Sequence, residues 1–199
     1  TNAVTSNTDA ATTTDGTTAA DTSETGIWAK VDSKVGDLGS YIASVKNIET
    51  IIEIDASTLT ADTIDLESVN ELKMSTQGVG IGVAVNVANA SSMVLVKDSN
   101  LTSTKNGIKL LAKSVIESKA DAQAKAGNVA VGVSVISGST EASITGSGTI
   151  NSKKGLLVSA ESNAQATTNA IGKAANDNRS GAFAGVSIVN YDTKANIGG

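Results

Sequence analysis

Hydrophobic and polar residues alternate with a period of two along most of the chain from about residue 49 onward. Ile52 and Ile54, followed by Leu59, Ile64 and Leu66, lie between short clusters of Thr, Asp and Ser. Alternation over short runs predicts β-strands with one buried face, and the polar clusters between the runs predict turns. The pattern therefore predicts an all-β fold for this part of the chain.

Two kinds of strand segment recur along the same stretch. The first, Gly-Val-Ala/Ser followed by Val or Ile, returns at steps of 50 (132 − 82) and 53 (185 − 132) residues and lies at 82–85, 132–135 and 185–188. The second, a turn followed by a strand, occurs at 100–114 and 149–162, with a weaker copy at 59–68. A fixed period of this length predicts an array in which each unit buries its apolar face on the next.

The repeat predicts a parallel β-solenoid, a rod in which coils stack at ~4.8 Å and bond to one another through the backbone. Because the two segment types alternate, we interpret each repeat of about 50 residues as a double coil, with roughly 25 residues in each coil. General precedent for parallel crossovers makes the β-helix right-handed. The competing fold is an antiparallel β-sandwich, which is disfavoured because only 2% of the residues are aromatic.

The alternation also predicts which residues face the interior. Alanines occupy every second position of 120–126, which is typical of a strand pressed against a narrow interior. A helix over 115–126 is the competing interpretation, since Ala, Lys and Gln are good helix formers. We expect Val133 and Val158 to face inward, so that an Asp at either site buries an unpaired charge and unfolds the array.

The first 48 residues lack this alternation. Residues 1–25 are a low-complexity Thr/Ala/Asp tract, which predicts a linker or disordered edge, or else an irregular coil added to the array. Apolar residues at steps of three and four over 26–48 predict a short helix that caps the array, or a separate binding element that includes Trp28. We therefore divide the chain into 1–25, 26–56 and 57–199, with repeats at about 57–114, 115–162 and 163–199.

Composition excludes several functional classes. The chain has no His and no Cys, which removes the commonest general base, the commonest metal ligand and all thiolate chemistry. A net charge of −5 with Arg179 as the single arginine argues against nucleic-acid binding. No apolar run approaches the ~18 residues of a membrane-spanning helix. We predict no catalytic residue, no metal or cofactor site, no nucleic-acid partner and no membrane span.

Two motifs suggest chemistry at first sight. Gly78–Gly82 has the alternating glycines of a dinucleotide-binding loop, but that loop must open a helix, whereas here the apolar alternation continues. We interpret these glycines as sites of close packing between coils. Asp62, Asp65 and Glu67 come nearest to the carboxylate cluster of a carbohydrate-cleaving β-helix. They occupy a turn and a strand start, and we interpret them as solvated side chains.

A succession of motifs carries a family resemblance. It consists of Val131–Val135, Thr140–Ile144 and Gly146, it is followed by Gly155–Ser162, and its first part returns at 184–188, 193–197 and Gly199. This succession resembles the repeat region of giant bacterial filamentous adhesins, both the fusobacterial leukotoxin-like and the filamentous haemagglutinin-like kinds, over about residues 57–199.

The resemblance implies a secreted or surface-anchored β-helical stalk that is exported by a two-partner or autotransporter route. It implies contacts with neighbouring repeats and with glycans or proteins of host cells or other bacteria, and it supplies no catalytic residues. The chain begins without Met and stops within the third copy of the recurring segment, so we expect a longer parent protein. Alternative hypotheses are a β-helical polysaccharide lyase or hydrolase and a carbohydrate-binding module.

Overall fold

The computed structural model describes residues 3–8, 41–80, 82–124, 129–172 and 181–198. Every regular element in these ranges is a β-strand. In chain order the strands are β1 Ala3–Thr8, β2 Tyr41–Asp55, β3 Thr58–Ala61, β4 Ile64–Gly80, β5 Gly82–Lys97, β6 Asn100–Ser103, β7 Ile108–Ala124, β8 Val129–Thr145, β9 Ile150–Ser152, β10 Leu156–Gly172 and β11 Ala182–Ile197.

The strands form three sheets that run along one axis. Sheet 1 has the order β1-β2-β5-β8-β11, sheet 2 the order β4-β7-β10, and a corner sheet the order β3-β6-β9. The neighbours are parallel, except that β1 lies antiparallel to β2. The chain passes from sheet 1 through the corner sheet to sheet 2 and then returns to sheet 1 one strand farther along. This arrangement is the predicted parallel β-solenoid.

Each sequence repeat forms one coil, so the prediction of two coils per repeat is wrong. Successive coils in sheet 1 are 42 (83 − 41), 48 (131 − 83) and 53 (185 − 132) residues apart, through the pairs Tyr41 with Val83, Val83 with Val131, and Gly132 with Gly185. Two long strands of 15–17 residues account for most of each coil. In the sequence they look like several short strands, because inward Ser, Thr and Asn residues interrupt the apolar alternation.

The copies of the recurring segment are not all in register. Gly132 pairs with Gly185, but Gly82 pairs with Ala130 and Ala84 pairs with Gly132. A shift of two residues leaves every side chain on its own face of the sheet. The step from Gly82 to Gly132 in the sequence is therefore 50 residues, two more than the 48 residues between paired positions of β5 and β8, and the same residues remain buried.

The interior is a wedge between sheets 1 and 2. At the wide end, next to the corner sheet, it holds mostly large aliphatic residues: Ile54, Ile64, Val94, Val96, Leu101, Ile108, Leu110, Ala112, Ala142 and Ile144. At the narrow end β4 ends at Gly80 and β5 begins at Gly82, so the two sheets converge. The buried residues there are Ala84, Ala120, Ala122, Ala124 and Ala130.

The wedge explains why one inward valine was predicted correctly and the other was not. Val158 lies at the wide end and packs against its aliphatic cluster, as predicted. Val133 lies towards the narrow end and faces outward, because the buried positions beside it belong to Gly132 and Ser134. Only small side chains fit between the converging sheets, so the β-branched residues occupy the outer face.

Serine and asparagine side chains bridge the two sheets in the middle of the wedge. The Ser68 and Ser92 hydroxyls lie 2.7 Å apart, and those of Ser118 and Ser134 lie 2.6 Å apart. Asn86 Nδ2 donates to the Lys119 carbonyl oxygen at 2.7 Å. Because buried polar groups are costly when unpaired, these bonds fix the alignment of the two sheets.

The N-terminal part differs from the prediction where it is described. Residues 41–48 belong to β2 and pair with β5, so the predicted helix over 26–48 is wrong there; residues 26–40, with Trp28, lie outside the described ranges. Within the tract 1–25, β1 forms an antiparallel edge strand of sheet 1. Residues 115–124 form the second half of β7, which confirms the strand and not the helix.

Candidate functional surface

The three acidic residues that came nearest to a catalytic cluster contact lysines of the next coil. Asp62 Oδ2 lies 2.6 Å from Lys105 Nζ, and Lys109 Nζ contacts both Glu67 and Asp65, the latter at 3.7 Å. The hydrogen bonds from Lys105 and Thr104 lower the pKa of Asp62, and the bond to Glu67 raises the pKa of Lys109. These carboxylates are exposed partners in ion pairs that connect coils.

Similar pairs connect other coils at positions that are opposite in register. Lys113 Nζ lies 3.6 Å from Glu161 Oε2, and Lys194 Nζ lies 3.2 Å from Glu141 Oε1. Exposed pairs of this kind contribute only about 0–1 kcal/mol each. Their main consequence is specificity of register, since a slip by one residue would place these side chains on the wrong face.

The glycines at 78, 80 and 82 lie in the end of β4 and at the start of β5, not at the start of a helix. A Cβ on Gly78 would come within 2.7 Å of the Val83 carbonyl oxygen, and one on Gly82 within 2.8 Å of the Gln123 backbone. The close-packing interpretation is therefore confirmed for these two residues.

The outer faces of sheets 1 and 2 differ sharply at the narrow end. On sheet 2 the outward residues are all polar or charged at every second position of 73–77, 117–121 and 165–169. In the next outward row, Val79 and Ile171 are apolar and exposed, one on each side of Gln123. On sheet 1 they are all Ala, Val or Ile over four coils, at every second position of 43–45, 83–87, 131–135 and 184–188. We call this second set the apolar stripe.

The apolar stripe ends abruptly in a polar row. The next outward positions along the strands are Asn47, Asn89, Ser137 and Asn190, which lie side by side in successive coils. The alternation did not predict the stripe, because valines such as Val133 were expected to face the core. The alternation does contain a clue. The residues between the valines, such as Ala84, Gly132 and Ser134, are too small to fill a wide interior.

Two further findings concern the described ranges. No group of three or more Asp or Glu side chains in them is placed to hold a metal ion. They also contain no helix that is long and apolar enough to cross a membrane.

Comparisons with protein-family models, with curated proteins and with solved structures found no match.

Proposed function

We propose that this chain is a non-catalytic structural segment of a secreted or surface-anchored bacterial filamentous adhesin, in which it extends a β-helical stalk. The observation that carries the proposal is the stacking of coils along one axis in three continuous sheets. Together with the motif resemblance in residues 131–162 and 184–199, this architecture favours a role in length and presentation. The coils bind their neighbours, and the stalk presents its surface to glycans or proteins outside the cell.

Surface display is the first test. An antibody raised against the chain is applied to intact cells of the encoding bacterium before and after external protease. We expect the antibody to bind intact cells and the protease to abolish its binding, while a cytoplasmic marker stays intact. A chain that becomes accessible only after lysis would overturn the proposal.

The stalk role is tested by removing one coil from the full-length gene. Deletion of 83–130 removes one coil of 48 residues and brings Val131 to the place of Val83, as the register of β5 with β8 requires. Because each coil contacts mainly its neighbours, we expect the shortened protein to fold and to reach the surface at the parental level.

The matched control deletes 83–106. This change removes β5 and β6 but keeps β7, so it joins two strands of sheet 2 directly, and we expect surface display to be lost. Loss of display in both deletions would contradict the role of the coil as an interchangeable unit. Release of sugar fragments from a polysaccharide by the purified chain would favour the lyase or hydrolase alternative.

A further inference from the structure

We propose that the apolar stripe is a self-association surface on which a second copy of this chain lies side by side with the first. The stripe is a β-sheet face of Val, Ile and Ala without a charged or hydrogen-bonding side chain. Its outer strands are substantially exposed: Val45 is 44%, Val186 43% and Ile188 48% exposed. The largest contiguous apolar patch of a soluble protein is often an interaction site.

The chemistry of the stripe selects the kind of partner. A glycan or a charged peptide needs hydrogen-bond donors, acceptors or counter-charges, and the stripe offers none to its centre. An apolar surface with the same regular rows of side chains is the best match, and the stripe of another copy is such a surface. Two β-sheet faces pack at about 10 Å with their strands roughly 30° apart, which allows the valine rows to interdigitate.

The size of the stripe sets the strength of the association. The stripe has two outward positions in β2 and three in each of β5, β8 and β11, and with strands ~4.8 Å apart it covers about 350 Å² on each copy. A standard stable interface buries about 800 Å² per partner, so the pair is weak and reversible at four coils. Because both copies use the same surface, the contact is isologous and closes at a dimer.

The polar surroundings keep the contact in one place. The row that contains Asn47 and Asn190 bounds the stripe along the strands, and the outer face of sheet 2 carries the charge pairs described above. Burial of either surface against an apolar partner would cost desolvation without compensation. The association therefore has one preferred face, which makes a matched control available.

Sedimentation of the purified 199-residue chain over a wide concentration range tests the proposal. We expect a monomer–dimer equilibrium, which Val133→Lys weakens by about tenfold or more because it places a charge at the centre of the contact. The control is Val115→Lys. Val115 lies on the outer face of sheet 2 in β7, the middle strand of that sheet, and its neighbours in register are Glu71 and Asn163. Val115 and Val133 are both half-buried, and we expect the control to dimerise like the parent.

Cross-linking provides a second measurement that does not require a strong dimer. The chain contains no cysteine, so a single Val133→Cys or Val115→Cys substitution introduces the only thiol. We expect oxidation to yield a disulfide-linked dimer with Val133→Cys and little with Val115→Cys. If Val133→Lys unfolds, Val133→Thr keeps the shape of the side chain and should also weaken the dimer, whereas Val115→Thr should not.

Several outcomes would overturn the proposal. They are a parent chain that stays monomeric at every concentration, a dimer that survives Val133→Lys, and equal loss of the dimer in both lysine variants. The chain could also cover its own stripe. In that case the parent chain stays monomeric, and Val133→Lys lowers the melting temperature far more than Val115→Lys does. Growth beyond dimers would contradict the isologous contact. None of these results affects the surface-display test, because the stripe is assayed on the purified chain.

Discussion

One residue at the corner after each of β2, β5 and β8 takes a left-handed backbone conformation. Its φ is 43° at Ala56, 46° at Asp98 and 83° at Gly146, which are equivalent positions in successive coils. Residues other than glycine adopt this conformation at a cost of roughly 1–2 kcal/mol. Asp98 offsets part of the cost, because its carboxylate Oδ1 accepts a hydrogen bond from the Ser147 backbone N–H at 2.9 Å. The corner is thus defined by backbone geometry and not by one residue type.

This corner predicts a dependence of stability on pH. The hydrogen bond from the Ser147 backbone, more than that from its hydroxyl, lowers the pKa of Asp98 below its ordinary value of 3.8. A carboxyl group whose pKa is lower in the folded chain than in the unfolded chain stabilises the folded state at pH values above its unfolded-state pKa. This stabilisation is lost as the pH falls through the folded-state pKa. We therefore expect the denaturant midpoint to fall on acidification below about pH 5, and Asp98→Asn to reduce that slope.

The control for this prediction is Asp62→Asn. The pKa of Asp62 is lowered mainly by exposed Lys105, so we expect its contribution to the acid slope to fade at high salt. The Asp98 contribution comes chiefly from an uncharged amide donor and should persist in salt. Equal salt sensitivity of the two variants, or an unchanged slope in Asp98→Asn, would contradict this account.

Within each long strand, the allowed size of an inward side chain depends on its place along the wedge. Ala122 is fully buried at the narrow end and lies between Gly78 and Ala170 in register. We expect Ala122→Leu to lower the free energy of unfolding by about 1–3 kcal/mol, because the converging sheets cannot accommodate the larger side chain. The neighbouring Gln123→Leu points outward and should change it by less than about 0.5 kcal/mol. Chemical denaturation measures both, and equal effects would refute the wedge.

The same wedge separates what the sequence could predict from what it could not. Alternation with a period of two requires strands, and the coincidence of Gly107 with Gly155 placed one turn of the coil correctly. Coil length was mistaken because inward residues such as Ser118 look like breaks between short strands. The outward stripe was missed because valine is usually interior, and only the convergence of the sheets, a long-range property, places Val133 outside.

The whole molecule is a linear stack, so its stability should vary from coil to coil. Each coil contacts mainly the coils before and after it, and β7 is paired on both sides by β4 and β10. Among the described strands, β11 is paired on one side only, by β8, and most of its residues are exposed. In a one-dimensional array, a unit with one interface opens more readily than a unit with two.

Hydrogen exchange followed by mass spectrometry measures this gradient in the 199-residue chain. We expect peptides from β7 and β5 to exchange on the order of tenfold more slowly, or slower still, than peptides from β11. Dimerisation through the apolar stripe would slow exchange in sheet 1 and leave sheet 2 unchanged, so the measurement is made at low protein concentration. Protection of β11 equal to that of β7 would mean that the stack opens as one cooperative unit. The unit of folding would then be the whole stack of coils and not the single coil.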